Sequence, residues 1–399
     1  MARRPQPRAR PEEPEEPQPG PGPAPPPGAR RSPPLLRWDE VPEDLVEGFI
    51  LSGYRRLPCT ARECLASVLA PTNETLNFWT HFVPLLLFAG RFGRLLLRGL
   101  PPGGEDEADG AGGAGGGDAL PAGHPALRPL WCYASGVLLT LAASCAAHVF
   151  SCLSRRLRAA CFYLDYACIS YYGFGSTVAY HHYLLPGLRL LDARELAAAA
   201  RRRLGWSPDC ARLLAAYRAL VLPAAFALAL ACTAACCRSR RPRARRPPAL
   251  RTLVFALPLS MAGPIALEAW LFDLGARQPA LCRRFHRRYL WLLAAAFVNL
   301  TKIPERLRPG RFDVVGHSHQ LFHLLTALSI YEQAQYVEDG LRRALRAPAP
   351  HAPAPTLAAT AGAMLLLALC LGLVVRAFLA REAPAAVEGP GPGGPRRGQ

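Results

Sequence analysis

Five side chains inside apolar segments are the candidates for chemistry in this sequence: Ser144, His148, Asp165, His319 and His323. Ser144 and His148 lie four residues apart, as do His319 and His323, so each pair shares one face of a helix. Ionisable residues inside membrane segments are energetically costly and mark functional sites. Because three separate segments carry them near one end, we predict that these side chains meet at one depth in the membrane.

This set of residue types matches the ligands of a zinc ion. Zinc accepts imidazole nitrogen, and a catalytic zinc keeps three protein ligands and one water. We predict that His148, His319 and His323 are the metal ligands. Asp165 would then hold or deprotonate the water bound to the metal. Ser144 would help to orient the ligand side chains without contacting the metal itself. The alternative interpretation is a hydrogen-bonded pair of helical histidines without a metal, and spacing alone leaves both open.

Eight apolar runs contain or surround these residues, each about long enough to cross the hydrocarbon layer as a helix. They lie at 77–97, 129–153, 161–186, 213–237, 250–273, 288–303, 317–337 and 356–380. They predict an all-α integral membrane protein. The formal net charge is +18, but no basic patch is interleaved with aromatic residues, so the composition does not favour a partner made of nucleic acid.

Composition divides the chain into a core and its flanks. The ends are rich in Pro and Gly, which predicts disorder, and the apolar patches before the first run are too short to span. The predicted parts are a disordered Pro/Arg-rich tail at 1–34, an amphipathic cap on the membrane face at 35–76, a core of seven transmembrane segments at 77–337, a linker at 338–355, an eighth transmembrane helix at 356–380 and a disordered tail at 381–399.

The arginines predict the orientation of the chain, because short basic loops stay in the cytosol. Those at 155–158, 238–246 and 306–311 fall on the side that holds the N-terminus, whereas those at 201–203 and 283–288 fall on the other side. We therefore predict a cytosolic N-terminus. The histidine cluster then lies near the cytosolic leaflet.

Other polar residues near the apolar runs have simpler interpretations. Residues 74–81 open the first run and are typical of a helix start in the interface belt. Asp313 is expected to cap a helix or clamp a loop, and Glu268 to contact either a ligand or a neighbouring helix. Cys210 and Cys282 would share the exoplasmic side, where a disulfide between them is possible.

Several motifs, in this order, resemble the progestin and adipoQ receptor family. They are TNETLNFWTH at 72–81, SCAAH at 144–148, YLDY at 163–166 and KIPERLRPGRFDVVGHSHQLFH at 302–323. The resemblance covers roughly residues 38–381. Within the family, LRWDEVP at 36–42, GYRRLPC at 53–59 and the eighth apolar run resemble the progestin branch.

The resemblance implies a fold and two functions. The fold is a seven-helix bundle of the adiponectin-receptor type with an appended eighth transmembrane helix. Adiponectin receptors carry Zn²⁺ on histidines matching His148, His319 and His323, with an aspartate matching Asp165, and have a ceramide-hydrolysing activity. Progestin members are plasma-membrane steroid receptors that signal through G proteins. The protein is thus expected to be a plasma-membrane receptor for progesterone-like steroids, coupled to heterotrimeric G proteins. The alternative is a zinc-dependent hydrolase of ceramide-type lipid amides.

Overall fold

The computed structural model describes residues 34–101, 119–205, 209–240, 253–254, 256–346 and 352–382, without the side chains of 203 and 204. Within these ranges the chain is helical and forms no strand. The eight elements matching the eight apolar runs are α1 Thr75–Arg98, α2 Arg128–Phe150, α3 Arg155–Tyr183, α4 Cys210–Ser239, α5 Gly263–Leu271 after a 3-10 helix at Leu257–Ala262, α6 Pro279–Thr301, α7 Ser318–Arg346 and α8 Ala363–Leu379 after a π-helical turn at Ala358–Gly362. Short helices lie at Glu43–Leu45, Ala61–Ala66, Ser67–Leu69, Pro125–Leu127, Leu185–Gly187, Arg189–Leu191, Ala193–Leu204 and Leu274–Arg277.

Four of the described helices are long and apolar enough to cross a membrane by length and composition. They are Thr75–Arg98, Pro125–Phe150, Cys210–Ser239 and Ala358–Leu379. The 29-residue helices α3 and α7 are longer than most of these but more polar, because they carry the side chains that face one another inside the bundle. The all-α membrane fold is confirmed, and eight crossings stay a prediction.

The flanks, the end of α7 and two cysteines differ from what the sequence predicted or lie partly outside the described residues. The tails, apart from residues 34 and 381–382, and the arginines at 241–246 lie outside the described residues. Helix α7 continues to Arg346, so the first part of the predicted linker is helical. Its extension is held by packing, since Val337 and Leu341 are fully buried. The suggested disulfide is not formed: Cys210 and Cys282 are free, and the Cys282 thiol contacts His286 of its own helix.

Helix α3 contacts α2, α4, α7 and α8. Helix α4 packs on α3, α8 covers both α3 and α4, and α2 packs against α1 and α3. Its contact with α3 is close because a glycine stands on each side. A Cβ on Gly136 would lie 2.7 Å from the Cα of Tyr172, and one on Gly175 would lie 2.5 Å from the carbonyl oxygen of Cys132. Small residues at such crossings let two helix backbones approach.

The outer faces of the helices are apolar. Leu87 and Leu97 on α1, Leu293 on α6 and Leu369 on α8 are all at least 60% exposed. Isolated apolar residues on a surface are ordinary, but rows of exposed leucine along long helices are typical of contact with lipid. The arrangement therefore fits a bundle whose polar groups face inward.

The segment 34–74 folds as a cap over the end of the bundle where α2 ends and α7 begins. The backbone N–H of Leu51 donates to Asp313 Oδ1 at 3.1 Å, and the Ser52 hydroxyl donates to Asp313 Oδ2 at 2.7 Å. His317 Nε2 lies 3.1 Å from the carbonyl oxygen of Asn73. The cap is thus fastened to the loop that precedes α7, and the expected clamping role of Asp313 is confirmed.

Local interactions fix the fold of the cap itself. Thr60 and Glu63 form a reciprocal capping box at the start of Ala61–Ala66, because each side chain bonds the backbone N–H of the other residue. The Tyr54 hydroxyl donates to the carbonyl of Ile50 at 3.0 Å. Burial raises the pKa of Tyr54 to about 12, so this hydroxyl stays protonated. The cap is therefore an ordered element.

Candidate metal centre

Three histidines meet beneath the cap. His148 comes from the last turn of α2, and His319 and His323 come from the first two turns of α7. One potential ligand nitrogen from each ring lies within 4.8 Å of the others. The ring centroids are 4.5 to 5.2 Å apart. The structure thus brings together the three predicted ligands at a separation suited to one metal ion.

Two of these imidazoles are oriented through their other nitrogen. His148 Nδ1 lies 2.7 Å from Glu74 Oε2, and His323 Nδ1 lies 3.0 Å from the carbonyl oxygen of Asn77. A histidine that donates Nδ1–H to an oxygen presents the lone pair of Nε2 to a metal. Glu74 is itself held by the side-chain amide of Asn77 at 2.8 Å. The start of α1 therefore aims both rings.

His81 extends this arrangement by a second layer. Its ring stacks on His323 at a centroid distance of 3.8 Å. His81 Nδ1 lies 2.8 Å from the hydroxyl of Ser144, and its Nε2 is buried without a hydrogen-bond partner among the described residues. Ser144 therefore reaches the cluster through His81 and makes no hydrogen bond to the three histidines themselves.

The sequence did not identify these contributions of α1. The stretch 74–81 was expected to anchor a helix in the interface, and Trp79 does donate to the carbonyl of Val68 in the cap at 2.7 Å. Glu74, Asn77 and His81, however, lie on the face that touches α2 and α7. Their spacing of three to four residues was the available signal, because it places them on one side of a helix.

Asp165 lies on α3 with one oxygen unpaired. Its Oδ1 is buried and has no hydrogen-bond partner among the described residues. An unsatisfied buried acceptor costs about 1–3 kcal/mol, which a bound water or ion would relieve. The three imidazoles are ligands that suit Zn²⁺. Asp165 is near enough to His148 to interact with it electrostatically, and it would hold a water bound to the metal. On these grounds the residues present fit the predicted metal.

The loop before α7 fixes the helix that carries two of the histidines. Glu305 accepts hydrogen bonds from the backbone N–H of Ser318 at 2.7 Å and from its hydroxyl. Such capping satisfies donors that the first turn leaves free. Glu268, by contrast, lies apart from the centre and is structural: its carboxylate accepts from the backbone N–H groups of Arg189 and Leu190 and pairs with Arg277.

The family whose model matches this chain is described as haemolysin-III related, and the match runs over residues 69–333. The chain belongs to this family. The matched region contains every residue of the metal centre described above and most of the helical bundle. Membership of the haemolysin-III-related family also confirms the resemblance to the progestin and adipoQ receptors that the motifs indicated.

Relatives within the haemolysin-III-related family carry receptor names. The chain is 33% identical to membrane progestin receptor delta of Mus musculus over 88% of its own length and 91% of the relative. It is 32% identical to membrane progestin receptor gamma of Mus musculus over 78% of its length and 83% of the relative. Membrane progestin receptor beta of Mus musculus is 25% identical over 75% of this chain.

Proposed function

We propose that this protein is a plasma-membrane receptor for progesterone-like steroids that signals through heterotrimeric G proteins. The observation that carries the proposal is the likeness to membrane progestin receptor delta along nearly the whole chain. The stretches 36–42 and 53–59 resemble the epsilon member of that branch. An apolar cavity between helices would suit the steroid, with a few polar groups fixing its ends.

The second part of the proposal is a zinc ion held by His148, His319 and His323 near the cytosolic leaflet. Support comes from the separation of the three ligand nitrogens and from the partners of His148 and His323. Bound zinc would lower the pKa of a water molecule bound to it and so activate that water as a nucleophile. It would also tie α2 to α7, since these two helices provide the three ligands.

A hydrolase is the alternative function, and a specific observation favours it. Asp165 offers a buried carboxylate oxygen without a partner, on a helix next to the one that carries His148. A carboxylate in that place can accept a proton from water and return it to the leaving amine of a ceramide-type lipid. The two functions are compatible if hydrolysis generates the signal.

One comparison separates these possibilities. Wild-type protein and a variant with His319→Ala and His323→Ala are purified, and zinc content, progesterone binding and ceramide turnover are measured on each. Zinc-dependent turnover supports the hydrolase. Steroid binding that survives the loss of zinc supports a receptor whose metal is structural. Absence of zinc from the purified wild-type protein would overturn the metal assignment. Absence of progesterone binding to the wild-type protein would overturn the proposal that it is a steroid receptor.

Signalling and orientation need their own measurements. Progesterone should accelerate nucleotide exchange on purified heterotrimeric G proteins when the wild-type protein is reconstituted with them. An epitope at the N-terminus should be reached by antibody only after intact cells are permeabilised. Labelling of that epitope on intact cells would place the metal centre near the opposite leaflet.

A further inference from the structure

Two arginines stack on one aromatic ring beside the metal centre. The guanidinium carbon of Arg240 lies 3.6 Å from the ring centroid of Phe162, and that of Arg158 lies 5.3 Å from it. The same ring packs edge-on against His148, with centroids 6.3 Å apart. Arg158 is in the first turn of α3 and Arg240 follows the last turn of α4, so the two cations come from different helices.

Neither arginine forms an ion pair with a described carboxylate. Arg240 donates to the hydroxyl of Tyr166 at 3.3 Å. Arg158 stacks on the ring and interacts with Glu74, Glu47 and Asp44 only over longer, electrostatic distances. No carboxylate among the described residues lies within ion-pair distance of either guanidinium, whereas Arg91, Arg189 and Arg284 each have one. Two unpaired like charges held together repel each other, and the arrangement becomes favourable when an anion lies between or beside them.

The surrounding charges leave the region positive. Asp165 is near enough to Arg240 to interact with it electrostatically, but its single charge offsets only one cation. The Glu74 carboxylate is engaged by His148. Lys302 lies within electrostatic reach of His319 on the other side of the cluster and makes no ion pair with a described carboxylate. Glu47 and Asp44 of the cap are within electrostatic reach of Arg158, and Asp44 also pairs with Arg155. The cations Arg158, Arg240 and Lys302 therefore outnumber the carboxylates Asp165 and Glu47 that remain.

The two arginine side chains keep part of their surface exposed. Both side chains are only partly buried, unlike Arg288 deeper in the bundle, whose guanidinium is enclosed by Tyr180 and Tyr336. A guanidinium presents a planar fork of donors that matches phosphate oxygens, and stacking on a ring leaves its edge free to donate. Two such forks suit a group carrying more than one negative charge.

We propose that Arg158 and Arg240 form a binding site for a phosphate group beside the metal centre. A phosphate of this kind belongs either to the headgroup of an anionic lipid or to a soluble phosphate. Phe162 holds the two guanidiniums, and the phosphate accepts hydrogen bonds from both. The site goes beyond the proposed steroid receptor, because it selects a charged group at the end of the bundle that the cap covers.

Binding of three probes to the purified full-length protein in neutral detergent tests the site. The probes are short-chain phosphatidic acid, the diacylglycerol with the same chains, and inorganic phosphate, each titrated by calorimetry. We expect phosphatidic acid to bind at least about 10-fold more tightly than diacylglycerol, since only the phosphate accepts charge-assisted hydrogen bonds from the two guanidiniums. Phosphate binding as tightly as phosphatidic acid would identify a soluble ligand, and much weaker phosphate binding a lipid headgroup. Equal binding of phosphatidic acid and diacylglycerol, with no binding of phosphate, overturns the site.

Variants separate the site from general attraction to positive charge. Arg158→Gln and Arg240→Gln should each weaken the binding of the phosphate probe about 10-fold or more. Arg158→Lys should restore part of the loss because it keeps the charge without the fork. Arg156→Gln is the matched control, since it removes the same charge from an exposed position in the same helical turn. An equal loss in the Arg156 and Arg158 variants would overturn the proposal. Loss of zinc from the Arg240 variant would overturn it too, by assigning that arginine to the metal centre.

Discussion

Arg55 of the cap donates to the backbone carbonyl of His148 at a distance of 2.6 Å. The same guanidinium donates to the carbonyl of Val149 at 2.8 Å and to the hydroxyls of Ser67 and Ser151. The last carbonyls of a helix have no partner within it, and a cation at that end also interacts favourably with the helix dipole. Arg55 thus fixes the end of α2 from which His148 projects.

Replacing Arg55 should weaken metal binding without removing a ligand. We expect Arg55→Met to lower zinc affinity about 10-fold, the lower end of the range for residues that orient ligands. Zinc affinity is measured by competition with a chelator. Arg56→Met is the control, because Arg56 is exposed and next in the chain. Equal zinc affinities for the wild type and Arg55→Met would show that the last turn of α2 keeps its position without this contact from the cap.

Glu74→Gln should lower zinc affinity by about 10- to 100-fold, since an amide bonds the His148 ring less strongly than a carboxylate does. The change keeps the size of the side chain and removes its charge. Glu47→Gln provides the matched control at an exposed position in the cap. Unchanged zinc affinity in the Glu74 variant would mean that His148 is oriented by its backbone alone.

Asp165→Asn distinguishes the receptor from the hydrolase. If the protein hydrolyses ceramide, turnover should fall by about 10²- to 10⁴-fold, because the amide cannot accept a proton. Zinc content and progesterone binding should remain at wild-type values, since the three histidines are untouched. Asp39→Asn in the exposed part of the cap serves as control. Full turnover in the Asp165 variant would assign the proton transfer to another group.

Gly136→Ala should destabilise the bundle by about 1–3 kcal/mol, the usual cost of overpacking. The added methyl group would meet the backbone of Tyr172, which cannot move without shifting α3. The thermal midpoint in detergent measures the effect. Gly372→Ala is the control, because nothing lies within 4 Å of a Cβ at that position of α8. Equal midpoints for the two variants would contradict the close approach of α2 and α3.

Asp313→Ala should loosen the cap. It leaves the N–H of Leu51 and the hydroxyl of Ser52 without their acceptor, at about 1–3 kcal/mol for each donor that stays buried. Hydrogen exchange of residues 34–74 should become faster, while exchange in α2 should change little. Asp39→Ala leaves those bonds in place and is the control. Unaltered exchange would show that other contacts hold the cap.

The positions of the long helices could be predicted from the sequence, because a long run of apolar residues is typical of a helix in contact with lipid. Most runs overlap a described helix closely, although α6 begins nine residues earlier than its run and α7 ends nine residues later. The run at 250–273 is the exception, because α5 is an α-helix only over Gly263–Leu271 and follows a 3-10 helix. The count of crossings was harder to derive. Helices α3, α6 and α7 mix apolar residues with polar ones that face their neighbours, so composition alone does not separate a polar span from a surface helix.

The three histidines were found because an i, i+4 pair and a third histidine lay near matching segment ends. Glu74, Asn77 and Arg55 were not, because their roles arise from contacts between distant parts of the chain. The contact of Arg55 with His148 spans 93 residues, and that of His323 with Asn77 spans 246. No local pattern encodes which helix face will meet another.

The cap also constrains when the protein can finish folding during synthesis. Its contact between Leu51 and Asp313 joins residues 262 positions apart, and α7, which supplies two of the three histidines, follows Asp313. The cap must therefore wait for the loop before α7 to be synthesised before this contact can form. A closed cap accordingly reports that the chain has been made as far as Asp313, and a chain that stops before α7 lacks both this contact and two of the three clustered histidines.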